Sequence, residues 1–344
     1  MEKSGVNFGT SGVRGRVVAL SDEVCWAYAV GFIQYLQETE QLQPGATVGI
    51  AGDYRTSTDR MMGVLSQAIV DQGFEPVNLG KIPSPALALY GLKHNMPTMM
   101  VTGSHIPEDR NGIKFNTALG EILKPDEQGI RAQVITIPSG IFTPEGALVR
   151  EPTLPALDET AKAEYVKRYL NFFPKKALEE LSIGLYEHSS VSRECLYEIL
   201  TGLGAKVMCL GRSDVFISVD TEAIRPEDVV LAAQWSNEHG FDCIISTDGD
   251  GDRPLISDEK GLWLRGDVAG ILCAQYLAAD AVITPVNCNS ALELSQWFNY
   301  TQRTQIGSPF VIAGMLDAEA KYQSVIGYEA NGGVLVGSEI VKGE

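Results

Sequence analysis

The chain is short of basic residues. It carries 27 Lys+Arg against 44 Asp+Glu, a formal net charge of −17 over 344 residues. A surface of that sign repels nucleic acid and anionic membranes, so neither is expected as a partner. An anionic ligand would need a local basic site or a metal ion. Long apolar runs are also missing. The opening MEKSGVNFGTSGVRG has no hydrophobic stretch of the secretory-signal kind. The longest apolar region, residues 268–283, is interrupted by Gln275 and Asp280 and is too short and too polar to cross a bilayer. Cys25, Cys195, Cys209, Cys243, Cys273 and Cys288 form no CxxC pair and keep no regular spacing. They read as reduced, mostly buried thiols of a cytoplasmic protein. No low-complexity linker is present, and the GxSxG elbow of serine hydrolases is absent around Ser104. What remains, 44% hydrophobic and 21% charged residues, is the composition of a globular protein of two or three domains.

A repeat organises the chain. ATVGIAGDYRTS, DRMMGVLSQAIVDQG and FEPVNLG read as strand, turn and helix, then a strand ending at Gly80. LSIGLYEHSS, VSRECLYEILTGLG and AKVMCLG repeat the order and end at Gly211. DAVITPVNCNS, ALELSQWFNYT and QRTQIGS do so again and end at Gly307. Apolar residues recur at helical spacing in the middle pieces, as at Met62, Leu65 and Ile69. After each unit another apolar strand runs into an unusual loop: TGSHIPEDRNGIKF, TDGDGDRP or YEANGG. Strands alternating with helices imply an α/β protein, here three consecutive related domains with mixed, mostly parallel sheets flanked by helices. Each loop would sit at the carboxyl end of a strand, where such sheets bind ligands. Boundaries are expected near residues 150 and 257, giving domains 1–150, 151–257 and 258–344, with a helical stretch at residues 158–180 opening the second.

The loops carry the chemistry. Asp248, Asp250 and Asp252 alternate with glycines that let the backbone fold tightly, so three carboxylates can converge. Hard oxygen ligands suit Mg²⁺ or Ca²⁺. A calcium loop of the helix–loop–helix type is a rival, but Arg253 stands where it needs glycine and Pro254 follows. A solvated acidic turn is the other rival, disfavoured because carboxylates clustered after an apolar strand repel one another. Ser104 stands beside His105, with Lys114 further on; a serine in such a loop is by itself an ordinary turn residue. Glu329 and Asn331 offer groups that grip vicinal hydroxyls, although Asn331-Gly332 is also a hairpin signal. FGTSGVRG, with Arg14, is either a phosphate cradle or a plain turn.

Taken together, FGTSGVRG at 8–15, TGSHIP at 102–107, NGIKF at 111–115, DGDGDR at 248–253 and GYEANGG at 327–333 resemble the alpha-D-phosphohexomutase superfamily, in order and spacing and from end to end. The resemblance implies that Ser104 is the phosphoryl carrier for hexose phosphates. It implies a hexose 1,6-bisphosphate as intermediate and activator, and Mg²⁺ held by Asp248, Asp250, Asp252 and the Ser104 phosphate. Arg253 is expected to face the phosphoserine, with His105 and Lys114 handling protons or phosphate. Arg14, Glu329, Asn331 and Ser308 are expected to contact substrate.

Three departures from the family pattern stand out. The sugar loop has Asn331 and Gly333 where the family commonly has Ser and His, and a family lysine is replaced near Asn287. No Arg/Ser/Thr loop for the second phosphate follows the third loop, so a fourth domain is expected to be absent and the third to be short of its closing helix. Three readings remain: a mannose or glucose phosphate mutase, a weakly active sugar-phosphate binder, and a phosphatase with an aspartate nucleophile.

Overall fold

The structure is a computed structural model that describes residues 4–9 and 12–337. Thr10 and Ser11 of FGTSGVRG, and the point where a closing helix of the third domain would follow, lie outside the described residues.

The first region contains β1 (Asn7–Phe8), β2 (Val13–Arg16), α1 (Asp22–Glu38), β3 (Thr47–Gly52), α2 (Thr58–Asp71), β4 (Glu75–Asn78), α3 (Ser84–His94), β5 (Thr98–Val101), β6 (Arg110–Thr117), β7 (Gly120–Glu121) and α4 (Lys124–Ala132). The second contains α5 (Thr160–Phe172), β8 (Ser182–Tyr186), α6 (Arg193–Gly202), β9 (Lys206–Leu210), α7 (Pro226–His239), β10 (Cys243–Thr247) and β11 (Pro254–Ile256). The third contains α8 (Gly266–Tyr276), β12 (Ala281–Pro285), α9 (Ala291–Ser295), β13 (Tyr300–Thr304), α10 (Ser308–Glu319), β14 (Val325–Tyr328) and β15 (Val334–Val336).

Local signals explain the elements. Ser21 caps α1 by accepting from the Val24 amide at 3.3 Å, and Asp22 and Glu23 complement its positive end. Pro226 opens α7, and Gly240, at φ +64°, closes it in the left-handed region. The β3 run TVGIAG is buried along almost its whole length because helices cover both faces. Trp26, Phe32, Met62 and Leu65 from α1 and α2 pack on one face, and Leu79, Ile82, Leu87 and Met100 form the cluster on the other.

The repeat is a repeat of topology. In the three sheets the strand orders are β6-β5-β3-β4, β11-β10-β8-β9 and β15-β14-β12-β13. Three strands in each are parallel, and the fourth turns back antiparallel on the third. The second and third sheets are mostly parallel, as expected. The first is extended by an antiparallel wing in which β2 pairs with β6, β1 with β2 and β7 with β6. That wing sets Val13, Arg14 and Gly15 of FGTSGVRG opposite Ile113, Gly112 and Asn111 of NGIKF, although they are far apart in the chain. The helix expected at residues 158–180 is α5, which ends at Phe172 ahead of Pro174. Leu157 still bridges to Asn78 of the first sheet. No described helix is long and apolar enough to cross a membrane.

Candidate active site

All three unusual loops occupy the same topological place: the connection between the third parallel strand of a sheet and its antiparallel neighbour. β5 delivers residues 102–109, β10 delivers 248–253 and β14 delivers 329–333. A strand that ends inside a buried sheet gives its loop a rigid base, so side chains from three regions can meet with little slack.

Ser104 is fully buried, at φ +54°, a left-handed conformation that is uncommon outside glycine. Its Oγ donates to Asp248 Oδ2 at 2.5 Å and lies 3.3 Å from His105 Nδ1. Thr102 Oγ1 accepts from the Ser104 amide at 2.8 Å. Beneath the loop lies Arg55. Its guanidinium donates to the carbonyls of Ser104 (2.8 Å), Ile106 (2.6 Å), Pro107 (2.8 Å) and Arg110 (3.1 Å), and its Nε to Asp53 Oδ2 at 3.1 Å. Asp53 also accepts from Thr58 Oγ1 at 2.7 Å and Thr102 Oγ1 at 2.9 Å. Phe216 of the second region covers the guanidinium at 3.9 Å. The strained serine loop is therefore held from below by one buried ion pair.

In the acidic loop, Asp248 and Asp250 are fully buried. One ligand atom from each of Asp248, Asp250 and Asp252 lies within 4.8 Å of the others. Burial, then repulsion from Asp250 and Asp252, pushes the Asp248 carboxyl well above its ordinary pKa. Burial acts on Asp250 too, but the Lys114 ammonium outweighs it and holds that carboxyl below its usual range. Lys114 Nζ donates to Asp250 Oδ2 at 2.7 Å and to Asp252. Ser84, at the start of α3, donates its hydroxyl to Asp250 Oδ2 at 2.7 Å and its amide to the Asp250 carbonyl at 2.8 Å. Asp250 Oδ1 and Asp252 Oδ1 are buried with no hydrogen-bond partner. Buried carboxylate oxygens left without donors, in a cluster whose members repel one another, fit a hard divalent cation.

The remaining expected residues fall around this centre. Arg253 Nη1 donates to His105 Nδ1 at 2.7 Å, so the imidazole carries its proton on Nε2, which lies 3.8 Å from Asp220. Burial, with Arg253 second, lowers the His105 pKa to about 4, so the ring is neutral. Arg14 is mostly buried, and its charge is felt by Asp250, Asp252 and Asp248. Glu329 is raised by burial, offset in part by Arg253, and hydrogen bonds with Asn331. Residues 329–333 form a hairpin connection, with the Gly332 amide donating to the Glu329 carbonyl at 3.1 Å. Asn331 O accepts from Thr221 Oγ1 of the second region at 2.5 Å. Ser308 sits at the start of α10 and donates to Glu121 Oε1 at 3.1 Å. Ser104, His105, Lys114, Arg253 and the three aspartates thus meet directly; Arg14 and Glu329 lie within electrostatic reach, and Asn331 is buried beside Glu329. Among the described residues the Ser308 side chain is hydrogen-bonded to Glu121 and to none of the central residues.

Sequence reading passed over Asp53, Arg55, Ser84, Phe216 and Asp220. For the first two a signal existed. DYR follows the buried strand TVGIAG, and charged residues at that end of a buried strand need partners.

Comparison with known proteins agrees with the geometry. The family profiles described as Phosphoglucomutase/phosphomannomutase, alpha/beta/alpha domain I, II and III match residues 5–139, 163–261 and 265–343. A phosphomannomutase of Salmonella muenchen is 43% identical over 340 residues, 99% of this chain and 68% of that protein. One of Sinorhizobium fredii is 44% identical over 337 residues, 97% of this chain and 70% of its own length. Among solved structures, a Phosphoglucomutase/phosphomannomutase family protein from Burkholderia thailandensis shares the fold, with a TM-score of 0.74 at 19% identity, covering 96% of this chain and 72% of that one. The chain belongs to the phosphoglucomutase/phosphomannomutase family.

Proposed function

We propose that the chain is a mutase that interconverts hexose 1-phosphate and hexose 6-phosphate, of mannose, glucose or both, with Ser104 as the phosphoryl carrier. One observation carries the reading. A fully buried serine hydroxyl lies 2.5 Å from an aspartate of an acidic cluster supplied by a different sheet. In the forward step the bond from phosphorus to Ser104 Oγ breaks and a bond to a sugar hydroxyl oxygen forms, and the hydroxyl proton ends, in net, on Ser104 Oγ. The product is a hexose 1,6-bisphosphate. After it reorients, its other phosphate returns to Ser104. The bisphosphate added from outside would phosphorylate a free Ser104 and so act as activator.

Asp248, Asp250 and Asp252 would hold Mg²⁺, which supplies neutralisation of charge on the transferring group. Arg253, turned toward the serine through His105, and Arg14 stabilise phosphoryl oxygens. Lys114 is kept as an ammonium by two aspartates and His105 Nδ1 is occupied by Arg253, so neither is a free base in this state. We assign both to charge stabilisation and positioning. Glu329 and Asn331 grip sugar hydroxyls, and Ser308 lines the approach. Domain boundaries near residues 150 and 257 remain our placement. The weakly active binder is the less favoured reading, because two phosphomannomutases are 43–44% identical across nearly the whole chain.

The test is a coupled assay on mannose 1-phosphate and glucose 1-phosphate, with peptide mapping after incubation with hexose 1,6-bisphosphate. Label on Ser104, and a loss of at least ~1000-fold in turnover for Ser104→Ala, are expected. Label on an aspartate with activity retained in Ser104→Ala would replace the mutase by the phosphatase reading.

A further inference from the structure

A cleft of about 500 Å³ opens on the first sheet beside the serine loop, and no carboxylate lines it. Arg14, Arg16 and Arg110 do, together with Ile106, two residues beyond Ser104. The strand geometry dictates the cluster. Arg14 and Arg16 alternate along β2 and share a face. Arg16 stands directly opposite Arg110 of β6 in antiparallel register. Like charges opposed across a ladder repel and lower stability. Neither Arg16 nor Arg110 makes an ion pair among the described residues, and both are exposed. The acidic loop acts on Arg14, whose charge Asp250, Asp252 and Asp248 offset, while Arg16 and Arg110 pair with none of its carboxylates. In a chain of net charge −17, three arginines lining one cleft with no carboxylate in its wall call for a bound anion. The guanidinium fork matches phosphate oxygens in pairs, which makes phosphate the fitting anion.

We propose that this cleft is a second phosphate subsite that binds a phosphate monoester dianion through Arg16 and Arg110, with Arg14 as the wall it shares with the reacting centre. The volume exceeds what a bare phosphate fills and leaves room for an attached sugar. Two sources share this chemistry: free inorganic phosphate, and the phosphate of a sugar not engaged at Ser104. Only the second rests on the mutase reading. In that case the subsite retains the bisphosphate while it turns between transfers.

The experiment uses the full chain carrying Ser104→Ala, so that no turnover intervenes, with and without Arg16→Ala/Arg110→Ala. Calorimetry at constant ionic strength measures Kd for inorganic phosphate, glucose 1-phosphate and glucose 1,6-bisphosphate. Inorganic phosphate, the bisphosphate or both should bind at least tenfold more weakly to the arginine variant, while Mg²⁺ affinity and melting temperature hold or rise. A loss confined to the bisphosphate assigns the subsite to the sugar; an equal loss for all three assigns it to free phosphate; either supports the subsite. Unchanged phosphate and bisphosphate affinity overturns it, as does a chloride titration showing the same loss, which would reduce the cleft to a general positive field. Should the double variant misfold, Arg110→Gln alone, at an exposed position, reads the same affinities. Turnover of the unaltered Ser104 chain on hexose 1-phosphate is measured separately, so failure of the subsite and failure of the mutase reading are distinguishable.

Discussion

Asp248 shows how a single residue is set against its own surroundings. Its folded pKa lies above the unfolded one, chiefly through burial and then through Asp250 and Asp252. For an acid shifted upward, ionisation costs stability: the penalty is absent below the unfolded value and grows as pH rises above about 3.8. A divalent cation removes the penalty and displaces the proton. The rise in melting temperature on adding Mg²⁺ should therefore grow between about pH 4 and pH 7, and thermal denaturation with and without EDTA at each pH measures it. A rise that is flat with pH would mean that Asp248 is ionised without the metal. Arg55 gives the opposite case, a charge that serves the fold. Arg55→Ala leaves Asp53 buried and unpaired and four carbonyls without a donor, which should cost ~3–5 kcal/mol in urea denaturation. Arg55→Lys should recover little, because one ammonium cannot span that fork. The sequence displayed the aspartates and Ser104 because each is legible from its immediate neighbours. It did not display Phe216, because its contact with Arg55 joins residues 161 positions apart and leaves no local pattern.

Among elements, the parallel βαβ units were legible from strand and helix periodicity, whereas the antiparallel wing was not. β1 and β2 are short, and their pairing with β6 depends on chain closure that no window of sequence displays. α9 is the weakest copy of its position, a five-residue helix where α2 has 14 and α6 has 10. The helix of most consequence for the sugar loop is α8. A Cβ placed on Gly266 would stand 2.2 Å from the Gly332 amide nitrogen and 2.6 Å from the Ala330 carbonyl oxygen. Backbone on both sides leaves the clash no easy relief, so Gly266→Ala should push the Glu329–Asn331 loop away from the cleft. The expected result is a KM for hexose phosphate raised about tenfold or more with Mg²⁺ affinity unchanged, since a loop displaced by about 1 Å loses much of its binding geometry. Parallel changes in KM and Mg²⁺ affinity would instead indicate a general loosening of the third sheet.

For the whole molecule, the site doubles as the joint between regions. Ser104 meets Asp248, Ser84 and Lys114 meet Asp250, Arg55 meets Phe216, and Thr221 meets Asn331. These contacts are polar or charged apart from the Phe216 ring; the apolar packing between the first two regions lies elsewhere, where Ala161 and Tyr165 of α5 join the cluster of Leu79, Leu87 and Met100. Such an arrangement lets the polar joint at the cleft loosen while α5 stays packed on the first region. A cation held by the aspartates of one sheet, with the Ser104 phosphate of another, would tie two regions at a point where the free protein has mutually repelling carboxylates. Removing Mg²⁺ should then loosen the joint and leave the sheets intact. Hydrogen exchange in EDTA should speed up at residues 102–116 and 248–253 and stay slow in β3, β8 and β12. Phe216→Ala should enhance that pattern and lower the melting temperature more in EDTA than in Mg²⁺, because the ring is then a larger share of what joins the regions. Uniform acceleration across all three sheets would show one cooperative body, with the metal acting on global stability and not on the joint.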